Sequence, residues 1–143
     1  TIREGIRHEN AEHLSFADGS VDVYVSGDVM EHIADPERAL AEAARVLRVG
    51  GQLFMTAPID LGRDANVTRA KRVDGSIVAL LPNVFHGNPL SAEGSLVFTD
   101  FGWELVAQMH RAGLRDAAYV IVRSCEYGHY GVQGYFHATR SDA

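Results

Sequence analysis

The sequence predicts an α/β fold: a largely parallel sheet that ends in an antiparallel β-hairpin. Three observations carry this expectation. Val21–Val25, a helical stretch from Pro36, and Gln52–Ala57 follow one another as strand, helix and strand, which is the βαβ unit of a parallel sheet. A second amphipathic helical stripe runs from Phe101 to Ala112. Two β-branched runs, Ala117–Ser124 and Gln133–Thr139, flank a turn rich in glycine and tyrosine, which reads as a hairpin.

In chain order, Ile6–Glu9 predicts a short first strand, and the polar stretch Asn10–Ser20 a loop with a turn at Ala17-Asp18-Gly19-Ser20. Val21–Val25 is dense in β-branched and aromatic residues and predicts a strand. Asp35-Pro36-Glu37 is a helix start. Asp35 can accept from free N–H groups, Pro36 suits the first helical position, and Glu37 complements the positive end of the helix dipole. Leu40, Ala43, Ala44 and Leu47 recur at helical spacing, and Gly50-Gly51 is expected to stop the helix. Gln52–Ala57 then forms a strand that ends at Pro58. Residues 59–98 read as a long loop with one short element near Ile77–Leu81, lying over the ligand-binding end of the sheet. Thr99 or Asp100 is expected to cap the second helix, with Phe101, Leu105, Val106, Met109 and Ala112 as its apolar stripe and Gly113 as its stop.

The chain has 143 residues, enough for one domain, here 1–143. With 46% hydrophobic and 22% charged residues it reads as folded rather than disordered. Its longest apolar run, Ala117–Val122, is far too short to span a membrane. Thirteen basic against nineteen acidic residues, a net −6, argue against coating a nucleic acid. Cys125 is the only cysteine, so no internal disulfide forms, and a cytoplasmic setting is expected. None of the seven histidines forms an i, i+4 pair on a predicted helix, and no Cys–His spacing suits zinc, so no metal site is expected.

Residues 11–58, AEHLSFADGSVDVYVSGDVMEHIADPERALAEAARVLRVGGQLFMTAP, resemble the second half of a class I S-adenosylmethionine-dependent methyltransferase of the broad small-molecule type. The matching parts are Asn10–Phe16, Val21-Asp22-Val23, Val29-Met30-Glu31-His32-Ile33, the helix from Pro36, and Arg48-Val49-Gly50-Gly51. The later helix and hairpin agree with the family's last helix and its antiparallel sixth and seventh strands. HGNPLSAEGSLVFTDFGWEL, residues 86–105, is similar to a bacterial subset of these enzymes, some of which occur with glycosyltransferases. Asn10 stands where many relatives carry Asp, Ser15 where Pro is common, and Val49 where Pro usually precedes the paired glycines. No G-x-G-x-G occurs among these residues. The resemblance therefore implies a Rossmann-like sheet truncated at its N-terminus, holding strands three to seven of the family. A chain so built holds part of a cofactor site and is expected to be inactive alone. A chain that begins at Thr1 without Met fits that expectation.

The resemblance also implies roles. The Asn10 side chain and the Ala11 backbone N–H would face the adenine of S-adenosylmethionine; otherwise Asn10 makes a local turn. Ser26, Gly27 and Asp28 would meet its methionine portion; otherwise Asp28 caps a helix. His32 and His86 are candidate catalytic bases, set against a packing role for His32 and an ordinary loop histidine at His86. Methyl transfer rests mainly on proximity and in-line orientation. Phe101, Trp103, Met30 and Met55 are expected in the core. Arg63, Arg69, Lys71 and Arg72 either meet a phosphate or form a solvated face. The expected activity is methyl transfer to O or N of a small-molecule or saccharide-like acceptor. The alternative is a non-catalytic Rossmann-like binding or oligomerisation module. In that reading the open edge of strand 21–25 pairs with Ile6–Glu9 moved inward or with a second copy, giving a homodimer.

Overall fold

The computed structural model describes residues 5–88 and 91–142. Strand β1 (Val21–Gly27) leads through a 3₁₀ turn (Met30–His32) into helix α1 (Pro36–Val46) and strand β2 (Leu47–Thr56). After a series of short strands come helix α2 (Glu104–Arg111) and the long strands β9 (Leu114–Ser124) and β10 (His129–Arg140). The main sheet has the order β1-β2-β10-β9. β1 and β2 are parallel, whereas β10 runs antiparallel to both β2 and β9. The expected βαβ unit and closing hairpin are both present.

Side chains alternate across this sheet. On one face Leu53 and Met55 of β2 and Phe136 and Ala138 of β10 meet Leu40, Ala43 and Ala44 of α1 and Leu105 and Met109 of α2, all buried in one cluster. The register Val25↔Phe54↔His137 identifies the other face. There Val25 is 75% and Val23 51% exposed. The Phe54 ring centroid lies 5.0 Å from that of His137 and 6.0 Å from that of Tyr135. Both helices therefore cover the same side.

Helix α1 starts as expected: the Asp35 carboxylate accepts from the Arg38 N–H at 2.9 Å, with Pro36 in the first turn. It ends before the paired glycines, however, at Val46. Gly50-Gly51 lie inside β2, where pairing with β1 jumps from Val21↔Leu47 to Val23↔Gln52, a bulge. Gly50 has φ +74°, and a Cβ on Gly51 would stand 2.8 Å from the Arg48 carbonyl oxygen and 3.1 Å from that of Asp22.

Four further expectations are corrected. Ile6–Glu9 forms no strand. Glu9 instead accepts from the N–H and hydroxyl of Ser15, and Arg7 lies over the Phe16 ring, so local polar contacts replace a ladder. Among the described residues, the outer edge of β1 is therefore unpaired. Residues 59–98 are not one loop but are organised by two-stranded ladders. β3 (Val67–Thr68) pairs β8 (Thr99–Asp100), β4 (Ala70–Val73) pairs β5 (Ser76–Ala79), and β6 (Phe85–Asn88) pairs β7 (Ser91–Leu96). Thr99 and Asp100 thus belong to a strand rather than a helix cap. α2 begins at Glu104 without a side-chain cap on its preceding residue Trp103. Asn66 takes over the ordering: its side chain accepts from the Gly102 N–H, and its own N–H donates to the Glu104 carboxylate. Phe101, Met30 and Met55 are buried as expected, but Trp103 is 41% exposed and its indole N–H donates to the Leu61 carbonyl. Gly113 does end α2, with φ +84° and its N–H on the His110 carbonyl. No helix among the described residues is long and apolar enough to cross a membrane.

Candidate functional site

In an open α/β sheet, ligands sit beyond the carboxyl ends of the parallel strands. Here those ends are Ser26-Gly27-Asp28 after β1 and Thr56–Pro58 after β2. Asp28 turns the chain with φ +50°, and its N–H donates to the carbonyl and hydroxyl oxygens of Thr56 at 3.0 and 3.1 Å. It does not cap the 3₁₀ turn, whose preceding residue is Val29. Gly27 pairs with Thr56 and is exposed, while Ser26 is half-buried.

The loop carrying Asn10 and Ala11 is clamped onto α1. The buried Glu42 carboxylate accepts from the Leu14 N–H at 2.8 Å and from two nitrogens of Arg45 at 2.8 and 2.9 Å. Arg45 also donates to the carbonyls of Leu14 and Phe16 and to Asp18. The Arg45 hydrogen bonds hold the Glu42 carboxyl down at about 2, against the opposing effect of its desolvation. Within the loop, Asn10 makes the local turn: its side-chain oxygen accepts from the Glu12 N–H at 3.0 Å and its carbonyl from the His13 N–H at 2.9 Å.

The structure brings His32 and His86 together, although they come from the 3₁₀ turn and from β6. Their rings meet edge to face with centroids 5.0 Å apart. Between them is Glu31, 2% exposed, with no hydrogen bond on either carboxylate oxygen. Glu31 Oε1 lies 3.6 Å from His32 Nε2 and 3.5 Å from His86 Nδ1. His32 Nδ1 lies 2.8 Å from the Leu96 carbonyl oxygen. A carbonyl only accepts, so Nδ1 carries the proton in that bond and Nε2 faces Glu31. The sequence pattern of i, i+4 histidines and Cys–His spacings does not register this grouping, because His86 lies far from Glu31 and His32 in the chain. Three donor side chains, Glu31, His32 and His86, converge with their ligating atoms within 4.8 Å of one another.

Glu31 and His86 open onto a cavity of about 290 Å³, whose wall also includes Pro58, Asp60, Arg63 and Asp100. None of Asn10, Ala11, Ser26, Gly27 or Asp28 lines it. The basic cluster is largely spent on internal pairing. Arg63 lies 3.3 Å from Asp60, Arg69 2.7 Å from Asp100, and Arg72 3.1 Å from Glu12, while Lys71 is exposed.

Sequence reasoning missed Asp60 and Asp100 as site residues, and met Glu31 only as the neighbour of His32 in the Glu31-His32 pair. A carboxylate set between Met30 and Ile33 in an apolar run was the available signal for Glu31. Asp60 follows the strand-ending Pro58 at the ligand end of the sheet. Asp100 carried no local signal, because it reaches the cavity through a ladder between residues distant in sequence.

The donor set fits the adenosyl part of S-adenosylmethionine. The Asn10 side-chain oxygen keeps a second lone pair, and the Ala11 N–H makes no hydrogen bond among the described residues. At Gly27 a Cβ would meet nothing nearer than the Thr56 hydroxyl at 3.8 Å, so the backbone is open to close approach.

Comparison with known proteins agrees with this architecture. Residues 2–55 match the family described as methyltransferase domain. The chain is 34% identical over 106 residues to a Mycolicibacterium smegmatis protein named probable S-adenosylmethionine-dependent methyltransferase, covering 62% of this chain and 41% of that protein. It is 27% identical over 132 residues to the 27-O-demethylrifamycin SV methyltransferase of Amycolatopsis mediterranei, covering 84% of this chain and 48% of that enzyme. The chain thus spans less than half the length of either relative. In fold it is similar to an S-adenosylmethionine-dependent methyltransferase from Methanosarcina mazei, with TM-score 0.55, 16% identity, and coverage of 94% of this chain and 66% of that one. Element order, the family match over residues 2–55 and these relatives together show that the chain is similar to S-adenosylmethionine-dependent methyltransferases.

Proposed function

We propose that this chain forms the adenine-facing loop and the acceptor-side cavity of an enzyme that methylates an O or N atom of a small-molecule or saccharide-like acceptor. The observation that carries this reading is the cavity at the carboxyl end of the sheet, where Glu31, one short turn beyond Asp28, meets His86 from β6. The A. mediterranei relative, by its name an O-methyltransferase acting on demethylrifamycin SV, supports an acceptor of this class. S-adenosylmethionine supplies an electrophilic methyl group. Asn10 and Ala11 hold the adenine edge, and Ser26, Gly27 and Asp28 line the approach to the methionine portion. In this reading, His86 or His32 receives the proton released from the acceptor, and Glu31 behind them stabilises the resulting imidazolium.

Titration of isotopically labelled chain with S-adenosylhomocysteine, followed by amide NMR shifts, tests the cofactor half. Shifts centred on Ala11, Gly27 and Asp28 are expected. Unmoved amides at millimolar ligand would overturn the assignment.

A second reading, a binding or oligomerisation module, draws on the unpaired outer edge of β1 and on exposed Val23 and Val25. Light scattering distinguishes it: a homodimer through that edge is expected, and a monomer at high concentration rejects the dimer. The exposed, unpaired Cys125 supports a reducing, cytoplasmic setting.

A further inference from the structure

We propose that Glu31, His32 and His86 form a binding site for a first-row divalent transition-metal cation, with its open coordination positions facing the cavity. Two imidazole nitrogens and one carboxylate are the ligand set of open, catalytic-type sites for such ions. The separations suit an ion rather than direct bonding. At 3.5 and 3.6 Å, the Glu31–imidazole distances are too long for good hydrogen bonds. Metal–ligand lengths of about 2.0–2.2 Å place neighbouring donor atoms roughly 3–4 Å apart around a shared ion.

Glu31 supplies the independent observation. It is 2% exposed, and both of its oxygens lack a hydrogen-bond partner. A buried carboxylate is costly unless something positive or a donor meets it. The cavity's other carboxylates already have guanidinium partners, Asp60 with Arg63 at 3.3 Å and Asp100 with Arg69 at 2.7 Å. No arginine or lysine pairs with Glu31 among the described residues.

The outer shell agrees. Metal-binding histidines characteristically donate their second ring N–H to a carbonyl or carboxylate, which fixes the free lone pair on the ion. His32 does this through Nδ1 to the Leu96 carbonyl at 2.8 Å, leaving Nε2 directed at Glu31. A cation held between Nε2 and the Glu31 carboxylate would meet both groups. With the ion in place the imidazoles act as ligands rather than as proton acceptors.

Metal binding needs no methyl donor, so it is measured independently of the methyltransferase reading. The full chain carrying C125S, which removes the thiol as a competing ligand, is stripped with chelator. It is then titrated with Zn²⁺ by calorimetry and with Co²⁺ by visible absorption. One equivalent of each ion is expected, with Co²⁺ d–d bands typical of fewer than six ligands. H86A, on a half-exposed hairpin, and E31Q are each expected to weaken binding at least 10-fold. H110A, on an exposed face of α2, leaves it unchanged. Circular dichroism confirms that each variant folds, and H86A alone decides the matter if E31Q does not. Absence of binding below millimolar Zn²⁺, or binding that survives H86A, overturns the site.

Discussion

Single residues set the tightest constraints in this molecule. Gly102 carries one of them. A Cβ there would stand 2.5 Å from the Arg63 carbonyl oxygen and 2.9 Å from that of Ala65, and both are backbone atoms that cannot swing aside. G102A is therefore expected to cost about 1–3 kcal/mol, measured as a lower urea midpoint with unchanged slope. Glu31 acts in the opposite sense. In metal-free chain its unpartnered carboxylate opposes folding, so E31Q is expected to raise stability by about 1 kcal/mol while impairing the site. A fall in melting temperature for metal-free E31Q would contradict that account. His32 and His86 were both legible as candidates from their residue type and setting. Their meeting was not, because the hairpin that carries His86 is docked on the 3₁₀ turn through Leu96 and Phe98, far from that turn in sequence.

At the scale of elements, the clamp between α1 and the loop at residues 10–18 makes the clearest prediction. Glu42 is held at about 2 in the folded chain, below its ordinary value of 4.5. A carboxylate depressed by folding contributes stability that is full above the ordinary value and is lost as pH falls through the folded one. Stability should thus decline between pH 4.5 and 2, and E42Q should flatten that part of the curve. An unchanged acid limb in E42Q would show that the Arg45 pairing does not hold the loop. Capped, periodic elements were readable: Asp35-Pro36 starts α1 and Gly113 ends α2. The missed elements had subtler signals. Asp74-Gly75, with φ values of +48° and +80°, is a tight hairpin turn between β4 and β5, and the Asp-Gly dipeptide between Val73 and Ser76 was its available sign. Gly50-Gly51 read as a helix stop because paired glycines serve both ends and bulges, and only the partner strand decides which. The start of α2 was misplaced because its ordering groups, Asn66 among them, lie far away in sequence.

Among the described residues, the main sheet has one face covered by helices and one without them. Parallel strands with crossover helices usually bury both faces of the sheet. Here α1 and α2 share the Leu53–Phe136 side, leaving Val23 and Val25 with Phe54, Tyr135 and His137 opposite. Such a face is expected to bind an apolar dye such as anilinonaphthalene sulfonate in the native state. V25D should reduce that signal without lowering helix content, and equal fluorescence in V25D would place the apolar surface elsewhere. β10 carries a different consequence. It lies between β2 and β9, although it is the latest of these strands to be synthesised. The sheet has no continuous centre until residues near 140 have left the ribosome. Until then β2 and β9 have no hydrogen-bonded partner between them, so the sheet closes late and through a pairing distant in sequence.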